Sequence, residues 1–146
     1  MDAEQVREAL LKLPHVEETM QWGANLLFWV GDKAIGGKMF AVVDLDEGGN
    51  GVVSFQAGLE RYAELVEIDG VIPAPYMARN FWVALTRWDA IPGRELLSLL
   101  AEARDLVYAK LPRRTKDALA LSPTARRKLI AERRKLLAAR KAATSR

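Results

Sequence analysis

Three segments of the chain place apolar residues every three or four positions, which is the spacing of an amphipathic helix. The first segment covers residues 2–13, where Asp2 can cap the N-terminus with Gln5 as its capping-box partner. The other two cover residues 59–67 and 94–110. Each segment has one apolar face, so we predict three helices that bury that face against another layer.

Between the first two predicted helices the apolar residues follow the shorter period of β-strands. Four segments have this character: residues 25–30, 33–35, 38–45 and 52–56. Gly31 and Asp32 form a two-residue turn signal between the first two strands. On the third strand we expect Met39 and Ala41 to share one face and Phe40 to lie on the other. The connections are too short for helical crossovers, which predicts an antiparallel meander.

A fifth strand is predicted at residues 81–85, and the whole succession of elements indicates an α+β domain. We expect two layers, an antiparallel sheet with helices packed on one face. Half of the 146 residues are hydrophobic and 28% are charged, which agrees with a globular domain. We assign residues 1–112 to this domain. Residues 113–146 form an extension, expected to be helical from about residue 123 because Ser122 can cap a helix there.

The formal net charge of +3 conceals a strong asymmetry along the chain. Residues 1–70 carry 5 Lys and Arg against 13 Asp and Glu, and residues 71–112 carry 5 against 4. Residues 113–146 carry 12 against 2, so a domain of net charge −7 is joined to an extension of net charge +10. Basic triplets that begin at Arg126 and Arg133 are seven residues apart and recur on the same side of a helix.

A basic stripe of this kind suits the phosphate backbone of DNA or RNA, which it would bind with low sequence specificity and strong salt dependence. We predict that the extension supplies most of the phosphate contacts. The candidate nucleic-acid-binding residues are Arg79, Arg87, Arg113, Arg114, Lys116, Arg126, Arg127, Lys128, Arg133, Arg134 and Lys135. Trp82 and Trp88 neighbour Arg79 and Arg87 and are candidates for stacking on bases.

Other interpretations of the same residues stay open. The extension could be a solvated tail, with the domain binding a protein partner or a small ligand. It could instead bind an anionic membrane surface or an acidic protein. Trp82 and Trp88 could pack in the core, with the neighbouring arginines paired to acids. The sequence makes no prediction about oligomeric state.

The composition excludes several kinds of active site. The chain has no cysteine, so it has no disulfide, thiolate zinc site or cysteine nucleophile. It has one histidine, His15, which is too few for a multi-histidine metal site. We find no pair of titratable groups placed for acid–base catalysis and no cofactor motif, so we expect neither an enzyme nor a cofactor. The acidic N-terminus and the absence of a long apolar run predict a cytoplasmic protein without a membrane span.

Several stretches of the chain resemble the MmcQ/YjbR family of small bacterial proteins. They are Glu18–Gly23, Gly37–Ala41, Gly70–Arg79, Trp82–Leu85 and Lys110–Pro112. The resemblance covers about residues 2–112 and implies a fold similar to that of the frataxin/CyaY proteins. It also implies DNA binding through a proposed double-wing arrangement, and it carries over no catalytic residue. One departure is Phe81, which stands where members of the family often have histidine.

The likeness to frataxin raises metal binding as a remote alternative, because acidic residues of the first helix and first strand bind iron in that fold. The corresponding residues here are Asp2, Glu4 and Glu8, with His15, Glu17 and Glu18 nearby. Three carboxylates on the solvent face of an amphipathic helix are expected without any metal. They also lack the defined geometry that selects a transition metal. We therefore predict no metal site.

Overall fold

The computed structural model describes residues 1–46, 51–75, 77 and 80–144. Within this part of the chain the strands are β1 (Val16–Gln21), β2 (Asn25–Val30), β3 (Lys38–Asp44), β4 (Val53–Gln56), β5 (Val71–Pro73) and β6 (Trp82–Leu85). They form one sheet in the order β1-β2-β3-β4-β6-β5, and every neighbouring pair is antiparallel.

The described helices are α1 (Ala3–Leu11), α2 (Gly58–Leu65), α3 (Gly93–Lys110), α4 (Arg113–Leu119) and α5 (Pro123–Thr144). The structure confirms the predicted α+β class. It also confirms the cap of α1, because the carboxylate of Asp2 accepts a hydrogen bond from the Gln5 backbone N–H at 2.8 Å. None of the described helices is long and apolar enough to span a membrane.

The main core lies between the helices and one face of the sheet, which we call the inner face. The inner face is marked by Leu26, Phe28, Val43, Phe55 and Val83, all of which are buried. The apolar sides of α1 and α3 cover it. The opposite, outer face carries a second and smaller apolar cluster around Ala74, Trp82 and Ala84. The sheet is therefore apolar on both faces at its β5–β6 end.

The order of elements differs from the prediction at the start of the sheet. Residues 33–35, predicted as a strand, form a short 3-10 helix, because the Asp32 carboxylate accepts the Ala34 N–H at 2.8 Å. The strand that pairs with β2 on this side is β1, which the sequence analysis did not predict. The polar residues Glu17, Glu18 and Thr19 lack a strand pattern, and pairing along β2 decides their conformation.

A β-bulge changes which residues of β3 face the core. Phe28 pairs with Ala41, whereas the next residue of β2, Trp29, pairs with Met39. The extra residue on β3 turns both Phe40 and Ala41 into the main core and leaves Met39 against the outer cluster. The prediction that Met39 and Ala41 share a face, opposite Phe40, is therefore wrong.

The helix α4, which was not predicted from the sequence, follows directly after Pro112. Thr115, Ala118 and Leu119 of α4 are buried, and the latter two belong to the same core as α3. The proposed domain boundary at residue 112 thus falls just before a helix that packs into the domain. This packing carries the chain to the start of α5, so α4 decides where the basic helix emerges.

The turn around Gly31, Gly36 and Gly37, against which α4 and α5 pack, brings two stretches of backbone close together. A Cβ atom at Gly37 would clash with the carbonyl group of Gly31, so only glycine fits there. Gly36 has a φ of 89° and lies against the side chain of Thr115 in α4. The turn therefore needs glycine at position 37 to close, and the contact between the turn and α4 needs glycine at position 36.

Candidate nucleic-acid interface

The first half of the basic helix α5 is docked on the domain. Leu129 and Ile130 are partly buried against the main core. The guanidinium group of Arg126 donates hydrogen bonds to the carbonyl oxygens of Leu119 at 3.1 Å and Leu121 at 3.3 Å. Farther along, Arg134 forms an ion pair with Asp32. Two of the eleven predicted phosphate-binding residues are thus used for docking.

The other cations of α5 point to solvent. Three consecutive residues spread over about 200° of a helix, so each basic triplet divides between the docked and the exposed side. Of the predicted phosphate-binding residues, those that are exposed are Arg127, Lys128, Arg133 and Lys135 on α5 and Arg113 and Arg114 on α4. Among the described residues, none of these six has an acidic partner. We call these six residues the basic surface.

The basic surface is continuous between α4 and α5. Arg114 of α4 and Arg133 of α5 line the same small cleft, together with Gly36 and Leu129. Lys116 does not belong to this surface, because it is half-buried and its Nζ donates to the Ala109 carbonyl at 3.0 Å. Its role is to satisfy a carbonyl in the last turn of α3.

The second predicted group, around Arg87 and the two tryptophans, offers little surface to a ligand. Arg87 is paired with Asp69 at 3.2 Å and with Asp89 at 3.0 Å. The side chain of Trp82 is only 5% exposed and packs in the outer cluster. Trp88 is partly buried against the main core. Arg79 lies outside the described residues.

A different tryptophan is exposed, and the sequence analysis did not single it out. Trp22 lies in the turn between β1 and β2 and is 64% exposed. Its φ is 53°, and its carbonyl oxygen accepts a hydrogen bond from the side-chain amide of Asn25 at 2.8 Å. The pair Trp22-Gly23 is a turn signal in the sequence, but it does not show whether the tryptophan is buried. The structure shows that Trp22 is exposed, because it belongs to neither apolar cluster.

The docking of α5 also sets the electrostatics of the neighbouring acidic and histidine side chains. Partial burial raises the pKa of Glu17, and the nearby Asp32 carboxylate raises it further, against the opposing effect of Arg134 and Arg126. Partial burial lowers the pKa of His15, and the positive charges of Arg126 and Arg104 act in the same direction. Both groups therefore disfavour their charged forms where the basic helix meets the sheet.

The geometry gives no support to a metal centre in the part of the chain that the structure describes. There, no three carboxylate or histidine side chains come close enough together to hold an ion. Glu18 is instead held by Arg7, whose Nη2 lies 2.6 Å from a carboxylate oxygen of Glu18. Glu4 also pairs with Arg7, and Glu8 pairs with Lys12, so these three acids act as ion-pair partners in this structure.

Comparison with known proteins agrees with the sequence resemblance. A family model described as YjbR matches residues 11–106. Among solved structures, the crystal structure of Deinococcus radiodurans protein DR2400, which contains the family-model domain DUF419, has a TM-score of 0.65 to this chain. The two are 23% identical, and the match covers 88% of this chain and 87% of that one. A search of curated proteins finds no match.

Proposed function

Because the chain belongs to the YjbR family, we propose that it is a nucleic-acid-binding protein of that family. The YjbR match ends at residue 106, and the basic surface lies beyond it on α4 and α5. We propose that this surface supplies the phosphate contacts, with DNA as the first ligand to test and RNA as the second.

The observation that carries this proposal is that the six cations of the basic surface are exposed and, within the described part of the chain, have no acidic partner. Cations that are already paired gain less from phosphate than cations that face only water, since the paired ones first lose their protein partner. The other side of α5 holds the helix on the domain, through Leu129, Ile130 and Arg126. The basic surface is therefore presented in a fixed orientation, which lowers the entropic cost of binding a duplex or a strand.

We propose binding with low sequence specificity. Base reading in a groove relies largely on Asn, Gln and bidentate Arg side chains aimed at base edges. The helix α5 contains no Asn, Gln or aromatic residue. Its cations stand among aliphatic residues and a single acid, Glu132, a composition that suits contacts to phosphate groups along the backbone.

The test replaces three cations of the basic surface in the full-length chain, Arg127→Gln, Lys128→Gln and Lys135→Gln. A deletion at residue 112 would be a poorer test, because it would remove Ala118 and Leu119 from the core. Each lost phosphate contact reduces the slope of log affinity against log salt by about 0.9. We expect the triple variant to lose about 2.7 from that slope, measured by fluorescence anisotropy with a labelled duplex from low to physiological salt.

A matched control removes the same charge elsewhere, through Lys12→Gln, Lys38→Gln and Lys110→Gln. These three lysines are exposed and lie outside α4 and α5. We expect the control to keep most of the slope. Equal salt slopes for the triple variant and the wild-type chain would contradict the proposed role of the basic surface.

A further inference from the structure

A cleft of about 480 Å³ opens on the outer face of the sheet and is bordered by the exposed Trp22. Val42 of β3 lines it, and so do the polar residues Asn25, Asp44 and Ser54. The sheet register places these four side chains on one face, because Asn25 pairs with Asp44 and Val42 pairs with Ser54. The cleft thus combines an aromatic ring with three hydrogen-bonding side chains.

The conformation of Trp22 is unusual for a bulky residue. Its φ of 53° lies in the left-handed region, which costs free energy for any residue with a Cβ atom. The hydrogen bond from the Asn25 side-chain amide to the Trp22 carbonyl holds this turn. The indole ring gains no compensating burial, since it is 64% exposed. A large apolar ring held at the mouth of a cleft is suited to stacking on a planar ligand.

The polar residues of the cleft favour a ligand that donates hydrogen bonds. One N–H of the Asn25 amide is bonded to the Trp22 carbonyl, which leaves the amide oxygen as an acceptor and one N–H as a donor. One carboxylate oxygen of Asp44 accepts the Asp46 N–H at 2.9 Å, which leaves a second lone pair on that oxygen and the whole of the other oxygen for a ligand. A carboxylate here repels phosphate, and residues 1–112 carry a net charge of −7. These features match a neutral planar group better than an anion.

We propose that the Trp22 cleft binds a planar nitrogen heterocycle, which stacks on the indole ring and donates N–H groups to Asp44. Guanine is the common base that presents two adjacent N–H donors on one edge, and a carboxylate accepts both. The base can come from a free nucleoside or from an unpaired position of a strand. The second source rests on the proposed function of the basic surface, whereas the first does not.

The test measures binding of guanosine and inosine to the full-length chain by calorimetry, since inosine lacks the second N–H donor. We expect guanosine to bind more tightly than inosine. We expect Asp44→Asn to abolish this preference while keeping an acceptor for the Asp46 N–H. Trp22→Ala should weaken guanosine binding about 5- to 100-fold, the range found when one stacking ring is removed, and Trp22→Phe should restore most of it.

Oligonucleotides distinguish the two sources of the base. If the base belongs to a strand, Trp22→Ala should weaken binding of a guanine-containing single strand by the same factor and leave binding of a duplex unchanged. A matched control is Leu59→Ala, because Leu59 is equally exposed, at 67%, but lies on α2. Thermal melting shows that each variant folds.

The outcomes separate this proposal from the proposed function. Loss of salt-dependent duplex binding in the triple α5 variant concerns the basic surface alone. The Trp22 proposal is overturned if the wild-type chain discriminates neither guanosine from inosine nor single strands with guanine from those without it. It is also overturned if Trp22→Ala and Asp44→Asn bind every one of these ligands as tightly as Leu59→Ala does.

Discussion

Glu17 lies in an unfavourable position for a charged carboxylate, although cations of the docked basic helix lie nearby. It lies on β1 close to Asp32, and Arg134 of α5 pairs with Asp32. Partial burial and the Asp32 carboxylate together raise the pKa of Glu17 above its ordinary value of 4.5. The carboxyl group of Glu17 loses its proton at a lower pH in the unfolded chain than in the folded chain. The free energy of unfolding therefore falls as the pH rises from the pKa of the unfolded chain through that of the folded chain.

We expect Glu17→Gln to raise the melting temperature at pH 7, because the neutral side chain avoids the cost of the charged one. The gain should correspond to less than about 1 kcal/mol, since solvent still reaches part of the Glu17 side chain and screens its charge. It should vanish below the ordinary pKa of 4.5, where the carboxyl group is protonated in both states. Thermal melts of the variant and of Glu60→Gln, a control on the exposed side of α2, check this. A gain that persists at pH 3 would contradict the assignment.

At the scale of elements, α4 connects the family domain to the basic helix. It lies beyond residue 106, where the YjbR match ends, yet it contributes Ala118 and Leu119 to the main core. The following helix then uses Arg126 to bond the carbonyls of Leu119 and Leu121. The attachment of α5 therefore depends on the packing of α4.

We expect Leu119→Ala to lower the free energy of unfolding by about 2–5 kcal/mol, the usual cost of removing a buried leucine side chain. Leu136→Ala is the control, because Leu136 of α5 is 52% exposed and should change stability by no more than about 0.5 kcal/mol. Chemical denaturation of both variants measures the difference. Equal stabilities would show that α4 does not belong to the cooperative unit.

At the scale of the whole molecule, the opposite charges of the domain and the extension act against each other in binding a polyanion. The extension attracts phosphate, and the domain, at a net charge of −7, repels it. This repulsion acts over a Debye length, which is about 30 Å at 0.01 M salt and about 8 Å at 0.15 M. Acidic residues outside the contact surface should therefore slow association with a polyanion only at low salt.

We expect the triple variant Glu60→Gln, Glu67→Gln and Glu95→Gln to associate with DNA several-fold faster than the wild-type chain at 0.01 M salt. These acids are exposed and, among the described residues, belong to no ion pair. At physiological salt the two rates should converge, because screening removes the long-range term. Stopped-flow measurements at both salt concentrations test this, and an equal acceleration at both would point to a direct contact instead.

Local patterns in the sequence were sufficient to predict most of the secondary structure, the family and the distribution of charge. The spacing of apolar residues predicted α1, α2, α3 and the central strands, since a helix or strand with a long apolar face carries its own signal. The capping residue Ser122 predicted α5. The quoted stretches predicted the family, and the charge count predicted a basic helix on an acidic domain. These properties depend on residues that are close together in the sequence.

The tertiary structure decided the features that depend on distant partners. β1 is a strand because β2 lies beside it, and the bulge in β3 turns Phe40 inward. The docking of α5 against Asp32 and the carbonyls of Leu119 and Leu121 selects which basic residues remain exposed. Packing buried Trp82 and left Trp22 at an open cleft. Burial and pairing are set by contacts between segments far apart in the chain, so a local pattern names the candidate side chains and only the fold determines which of them are available to a ligand.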